Sequence, residues 1–450
     1  MSESIEKKVL EVISPSKDDR KKLEETIQDL KKQVNKEITR RKLPASIEIV
    51  GSTAKDTYLK NNLDIDLFIR FPTTFSKENI GRNALETGRK ILEKPEGCYA
   101  EHPYIRGYFK GYKAEIVPCY KIEKATQKLS AVDRTPLHTK YVKTHLKEPQ
   151  KQEVRLFKQF LRGIGCYGAE AEIEGFSGYL CEILIIKYGS FEKLIKNVKN
   201  WKIKYTITLT KTKHPTFDTP LVFIDPVDNN RNVASAVSKE KYELFIKACR
   251  DYLKKPRVTF FFPNKIKSWS LEKIKSEIKK QKNLYLGVKI VKPDIIAENL
   301  YPQIRKATRS IWDVCERYNF TINDVTFYVN KNTIFIIIKT KKEHLSKTMV
   351  HEGPPIKLED NVEEFINKWK NNPKVTKKPY KKNGRYYVEI KREYIDIRVF
   401  LKEQIKNLSL GKHIDEYKQK YEVVELKDLL KNNLRGFWTA YLDKKKSWDR

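Results

Sequence analysis

The run "LDIDLFIRF" places Asp64 and Asp66 two residues apart among apolar neighbours. On a strand, residues i and i+2 share a face. The two carboxylates then stand together while Ile65, Leu67 and Ile69 fill the other side. Side by side they repel, and each raises the other's pKa. A hard divalent cation relieves that repulsion, and Mg2+ typically takes one or two carboxylates plus substrate phosphates. Taken alone, so short a pattern is more often an edge strand whose polar face meets water.

The upstream residues shift that balance. Gly51-Ser52 ends a strand and opens a helix, and eleven residues separate Ser52 from Asp64. Glycine lets a backbone approach a ligand closely, and a helix start offers free N–H groups to phosphate. A phosphate cradle and a carboxylate pair thus fall on adjacent elements. Glu115, inside the strand-like "KAEIVPCY", is a candidate third ligand. By itself it also reads as a surface charge on an edge strand.

The elements that must hold these groups are legible from periodicity. Residues 17–42 form a helix with a stripe of Leu23, Ile27, Leu30, Val34 and Ile38. "ASIEIV" is a strand, and "YIRGYFKGYKAEIVPCY" is two strands joined near Lys110-Gly111. "EVRLFKQFLRGIG" is a helix with Val154, Phe157 and Leu161 on one face. Lys158 shares that face, so its ammonium must snorkel out or meet an anion. "SGYLCEILIIKYG" is apolar nearly all round and reads as a buried helix capped by Ser177. "SKEKYELFIKACRDYL" is a third helix, ending before Pro256.

From residue 257 the pattern changes. "RVTFFF" reads as a strand, "SLEKIKSEIKKQ" as a helix, "LYLGVKIV" as a strand and 296–318 as a long helix. "DVTFYVN-KN-TIFIIIKT" reads as a hairpin. Alternating strands and helices predict an α+β layer domain. Three segments result: 1–128, 129–256 and 257–450.

Lys and Arg number 92 against 58 Asp and Glu, a formal excess of +34. An excess of that size calls for a polyanion, since each cation placed near a phosphate releases a condensed counterion. Nucleic acid fits better than an acidic membrane, because no amphipathic basic helix stands out. "KVTKKPYKKNGRYY", residues 374–387, holds six basic residues and no acid. Within it Lys377, Lys378, Lys381 and Lys382 are interleaved with tyrosines, a composition suited to RNA backbone and stacking. Arg305, Lys306 and Arg309 lie off the apolar stripe of the long helix, where they can face phosphates. A solvated charged face explains either segment about as well. The six cysteines show no CxxC spacing, which argues against a zinc knuckle. "MSESIEKKVLEV" lacks a signal-peptide core, and no apolar run reaches the roughly 20 residues of a membrane helix. A cytoplasmic location is expected.

"GS", eleven residues and "DID", followed by a strand carboxylate, resemble the nucleotidyltransferase superfamily of DNA polymerase beta. "AEHPYIRGYFKGYKAEIVPCY", "AVDRTPLHTKYV", "EVRLFKQFLRGIGCYGAE", "GFSGYLCEIL" and "DPVDNNRNVASAVS" narrow the resemblance to the archaeal-type (class I) CCA-adding enzymes. "ENLYPQIRKATRSIWDVCERYNF" and "HEGPP" carry it into the last third. The first motif is a superfamily signal, while the ordered set is far more specific and spans nearly the whole chain. One departure is Glu115, where the family usually has Asp.

The resemblance implies an α+β multidomain architecture: a polymerase-beta-like head, a helical central domain and an α+β C-terminal RNA-binding domain. It implies two Mg2+ ions held by Asp64, Asp66 and Glu115, flanking the α-phosphate of CTP or ATP. It places Ser52, Lys55, His138, Lys158 and Tyr167 at the triphosphate and Arg231 near the incoming base. It implies the acceptor and TψC half of tRNA as partner, with a homodimer common among members. The activity implied is template-independent addition of CCA to the tRNA 3′ end. A poly(A) polymerase, which shares the catalytic core, and a non-catalytic RNA-binding protein with a relic site are the alternatives.

Overall fold

The computed structural model describes residues 4–60, 62–99, 102–211, 213–417, 420–431 and 434–450. Met1–Glu3, Asn61 between Ser52 and Asp64, and Ala100 and Glu101 before Tyr104 lie outside the described residues. The chain divides into two compact units, Met1–Lys265 with Lys445–Arg450, and Ile266–Lys444.

In the first unit, α1 (Ile5–Ile13) and α2 (Lys17–Arg40) precede β1 (Ser46–Val50). Ser16 and Asp19 cap α2 reciprocally as a capping box. Its expected stripe is buried, with Leu30 and Val34 fully so. A four-residue turn of helix, α3 (Gly51–Ala54), leads to β2 (Asp64–Phe71). Then come α4 (Lys77–Ile91), β3 (Glu93–Tyr99), β4 (Pro103–Phe109) and β5 (Tyr112–Tyr120). The sheet order is β1-β2-β5-β4-β3. Only β2 and β5 pair in parallel, so the chain between them must cross over, and α4 and the β3–β4 hairpin supply that crossover. Ile65, Leu67, Ile69 and Phe71 enter the head core with Ile105, Ala114 and Ile116.

The helical part of this unit holds α5 (Arg134–His145), α6 (Gln150–Gly163), α7 (Gly178–Tyr188) and α8 (Phe191–Val198). It continues through a short parallel pair, β6 (Tyr205–Ile207) and β7 (Leu221–Phe223), to α9 (Lys239–Lys254). Ser177 caps α7 as expected, through Leu180 N–H. "RVTFFF" is not a strand; Val258–Phe260 is a 3-10 turn. A strand would send consecutive phenylalanines to opposite faces. Here Phe260 and Phe261 both join the cluster of Phe160, Phe191 and Tyr252. Trp448 closes it by stacking on Phe260 with centroids 5.3 Å apart.

The second unit has α10 (Leu271–Lys280), β8 (Leu284–Val291), α11 (Ala297–Arg317), and the expected hairpin β9 (Ile322–Val329) and β10 (Thr333–Thr340). A second small sheet follows, with β11 (Thr348–Pro355), α12 (Glu359–Lys370), β12 (Val375–Lys382) and β13 (Arg385–Lys391) in the order β11-β13-β12. The remaining strand is β14 (Glu422–Glu425), on the edge of β14-β8-β10-β9. That sheet buries both faces. Ile336 and Ile338 pack with Ile304 and Ile311 of α11, while Phe335 and Ile337 pack with Ile274, Ile278 and Trp438. Among the described residues, no helix is long and apolar enough to cross a membrane.

Candidate active site

β1 delivers the chain into Gly51, whose φ of +71° lies in the left-handed region. A Cβ there would come within 2.0 Å of Asp66 Oδ2. "GS" and "DID" are therefore one construction, in which a bare backbone lies against the second aspartate. Across the sheet, Asp66 pairs in register with Glu115 of β5, so the third carboxylate stands level with it. Burial, then Glu115 and Asp64, push the Asp66 carboxyl up to about 7.

Two cations border the trio. Arg106, opposite Glu115 on β4, donates its Nε to Glu115 Oε1 at 2.7 Å. Lys113 Nζ lies 3.4 Å from Asp64 Oδ2. Among the described residues, the group of acids and histidines whose ligand atoms all converge within 4.8 Å is Glu343, His344 and Asp396 of the second unit. Arg398 bridges Glu343 and Asp396 there, so a guanidinium already neutralises that group. The Asp64–Asp66–Glu115 trio lies outside that convergence and has Arg106 and Lys113 on two of its members, but its donor chemistry fits a divalent cation. It offers only hard oxygen donors, and its buried member resists ionising because of its neighbours.

Behind the trio lies a buried charge cluster joining head and helices. Lys55, just after α3, is 8% exposed and pairs with Glu182 of α7. Thr57 Oγ1 donates to Glu182 Oε1 at 2.6 Å. Lys158 of α6 donates to Thr57 O at 3.0 Å and lies 3.4 Å from Glu182 Oε1. Lys158 does face inward, as its helical spacing predicts, and the anion it meets is the protein's own. Burial lowers the Lys158 pKa and Glu182 opposes that shift. Burial would raise Glu182, but Lys55 and Lys158 hold it below the usual carboxylate range. Tyr167 Oη and Lys158 Nζ lie 3.3 and 3.7 Å from the point a side chain at Gly178 would occupy, so the two converge at the start of α7. Burial pushes the Tyr167 hydroxyl up. Ser52, in α3, is half-buried.

A second carboxylate organises the far side. Asp225 is fully buried. It accepts from His138 Nε2 at 2.8 Å, Arg231 Nη1 at 2.9 Å, Tyr179 Oη at 3.1 Å and Val227 N–H at 3.1 Å. Burial would raise its pKa, yet the His138 bond, the Val227 N–H and Arg231 hold it at about 2. Burial lowers the His138 pKa, while the bond to Asp225 and the charge of Asp225 oppose that shift. The ring stacks on Tyr179 at 4.0 Å. His138 and Arg231, 93 positions apart in sequence, thus share one anchor.

Glu182, Thr57, Asp225, Tyr179 and Arg106 were not singled out from sequence. Two carried a usable signal. Glu182 is a lone acid in a helix apolar on every side, and Asp225 opens the quoted string "DPVDNNRN".

Three family descriptions match in order: a nucleotidyltransferase domain over 27–138, the second domain of tRNA nucleotidyltransferase over 152–262, and the C-terminal domain of CCA-adding enzyme over 283–425. The CCA-adding enzyme of Methanosarcina acetivorans is 35% identical over 429 residues, covering 94% of each chain. The chain belongs to the CCA-adding enzyme family. That of Archaeoglobus fulgidus is 35% identical over 385 residues, covering 86% of this chain and 85% of its own. That of Methanocaldococcus jannaschii is 34% identical over 433 residues, covering 92% and 94%. The nucleotidyltransferase family typically uses a divalent metal, in keeping with the acid trio. The mixed α+β fold with a nucleotidyltransferase head agrees with the architecture expected from sequence.

The CCA-adding C-terminal domain contains both basic segments. On α11, Lys306 and Arg309 are exposed and Arg305 half-buried. Lys306 Nζ donates to Ser409 Oγ at 2.8 Å. The β12–β13 hairpin divides its charges between two faces. Tyr386 and Val388 pack against Phe365 and Trp369 of α12. Tyr387, one residue out of phase, lies on the other face, where its register partner Tyr380 stacks with it at 6.0 Å. Lys377 lies over the Tyr380 ring at 4.4 Å. Lys382 pairs in register with Arg385 at the turn, on the Tyr387 face. Lys381 is on the α12 side, 5.6 Å from the Tyr386 ring centroid. Lys378 is exposed beside a break in register.

Proposed function

We propose that this protein completes the 3′ end of tRNA, transferring CMP, CMP and AMP from CTP and ATP without a template. The observation that carries the reading is a carboxylate trio aligned by the Asp66–Glu115 register and backed by Gly51, in a chain that matches the three family domains in order. The RNA 3′-oxygen bonds to the α-phosphorus as the α–β phosphoanhydride breaks. Pyrophosphate leaves and the hydroxyl proton passes to solvent.

Asp64, Asp66 and Glu115 would hold Mg2+, which supplies charge to activate the hydroxyl and stabilise the leaving group. Glu115, a residue longer than Asp, reaches the trio from the neighbouring strand and is steadied by Arg106. Ser52, Lys55, Lys158 and Tyr167 orient the triphosphate. His138 and Arg231, joined through Asp225, face the nucleotide from the helical side. The acceptor and TψC half of tRNA is read by shape, because the deep major groove of duplex RNA hides its base edges. Arg305, Lys306, Arg309 and the Lys377–Lys382 segment supply phosphate contacts.

The test is incorporation into tRNA transcripts lacking CCA, with CTP alone, ATP alone or both, plus Mg2+. The expected product gains two C and then one A, and dimerisation is checked on the same sample by light scattering. A long A tail would assign a poly(A) polymerase instead. Tight tRNA binding with no incorporation would leave an RNA-binding protein with a relic site.

A further inference from the structure

Glu182 is the acid that the reaction itself does not call for. It is 0% exposed, on a helix whose other buried members, from Leu180 to Ile185, are apolar. A buried carboxylate is costly unless paired and hydrogen-bonded. Glu182 is supplied with three partners from two different parts of the chain. Lys55 and Thr57 come from the segment between α3 and β2, and Lys158 comes from α6. Thr57 serves both sides: its hydroxyl donates to Glu182 and its carbonyl accepts from Lys158 at 3.0 Å. Two ammonium groups around one carboxylate leave the cluster with a formal excess of one positive charge, whose nearest further acid is Asp66, within electrostatic reach of Lys55. That excess lies beside Tyr167 and Gly178, and Lys55 is the first residue after the Gly51–Ala54 turn.

A cluster built only for stability would balance its charge, since an uncompensated buried cation is expensive. An excess cation held by the same acid that orders its partner is what an incoming polyanion requires. We propose that Glu182 is a positioning residue for the nucleotide triphosphate: it holds Lys55 and Lys158 side by side, so that a phosphate satisfies the charge the cluster leaves over. Glu182 touches neither substrate nor reacting atoms and acts through the two lysines. This rests on the nucleotidyltransferase reading of the site given above.

The experiment uses the full chain with Glu182→Gln, which keeps an oxygen for the Thr57 hydroxyl and removes the charge, and Glu182→Asp, which keeps the charge. For Gln, the KM for CTP and ATP rises about tenfold, as expected for losing charge-assisted contacts. In Gln, kcat changes less than threefold and the KM for tRNA stays put. Asp recovers part of the loss. The thermal shift induced by CTP with Mg2+ shrinks in Gln. A fall in Tm with unchanged nucleotide KM and an unchanged CTP shift would overturn the proposal and leave Glu182 a structural acid. If Gln does not fold, Glu182→Asp is compared with Lys158→Met and with the two changes combined. A combined rise in nucleotide KM no larger than that of Lys158→Met alone supports the proposal, because Glu182 then acts through Lys158, and additive rises overturn it. Failure of the wild-type chain to add CCA would strike the functional reading instead. The CTP shift would still judge Glu182.

Discussion

The floor of the candidate active site and the open face of the β12–β13 hairpin handle charge in opposite ways. In the first, Lys55, Lys158 and Glu182 are buried and fixed by named partners at short range. In the second, Lys377, Lys378 and Lys382 are exposed, and their partners are tyrosine rings or a distant acid such as Glu389 at 3.7 Å from Lys377. The contrast separates two physical tasks. Phosphoryl transfer needs charges whose positions are set before substrate arrives, because preorganised groups cost no reorganisation in the transition state. Docking a long polyanion needs many solvated cations, each contributing through released counterions rather than through exact placement.

The sharpest break of that contrast is Asp66→Ala. Incorporation of CMP and AMP should fall by about a thousandfold, with tRNA affinity unchanged in a gel-shift titration. A matching loss of affinity would mean that the two regions are not separate in task. Next comes Arg155→Met. Arg155 is 1% exposed and donates to Tyr58 O at 3.0 Å and Asp56 O at 2.6 Å, besides pairing with the Asp56 carboxylate. Asp56 is 23% exposed and keeps Arg20, so the loss is mainly that of the buried guanidinium's bonds and should cost about 2 kcal/mol of stability, read by urea denaturation.

On the hairpin, the combined change Lys377→Ala, Lys382→Ala and Arg385→Ala should leave stability nearly untouched. It should lower the slope of log affinity for tRNA against log salt by about one per residue removed. A slope identical to wild type would show that this face does not meet phosphate.

The remaining effect is in pH. Folding raises the Asp66 pKa from 3.8 to about 7. The native state therefore disfavours ionisation relative to the unfolded chain, and stability from this group is lost as pH rises between those values. In metal-free buffer, Asp66→Asn should raise Tm at pH 8, and that gain should vanish near pH 4. Mg2+ should raise the wild-type Tm more at pH 8 than at pH 6. A pH-independent gain would assign the effect to packing.

Long, periodic elements were the legible part of the fold. The α2 stripe, the inward face of α6, the Ser177 cap and the β9–β10 hairpin all follow from local pattern, because their partners are decided by one buried face. "RVTFFF" misled because an apolar run says that residues are buried and not how; the aromatic cluster around Phe160 required both phenylalanines on one side. Within the site, the acids were visible because charges inside a strand are conspicuous. Asp225 and Glu182 were not picked out, although Glu182 posed the same puzzle as "LDID" in helical form. Their meaning depends on Lys55, Lys158, His138 and Arg231 arriving from distant segments, and no local period encodes such a meeting.

The last residues carry a consequence for how the chain is made. Trp448 is 1% exposed and fills the aromatic cluster of the first unit; Thr259 donates to its carbonyl at 2.7 Å, and Arg257 pairs with Asp449 at 2.7 Å. During synthesis, residues up to 265 leave the ribosome some 180 positions before this plug does. At roughly 5–20 residues per second, the nascent first unit spends on the order of ten seconds or more with an open aromatic socket. A growing chain in that interval is a natural client for a chaperone that binds exposed apolar surface.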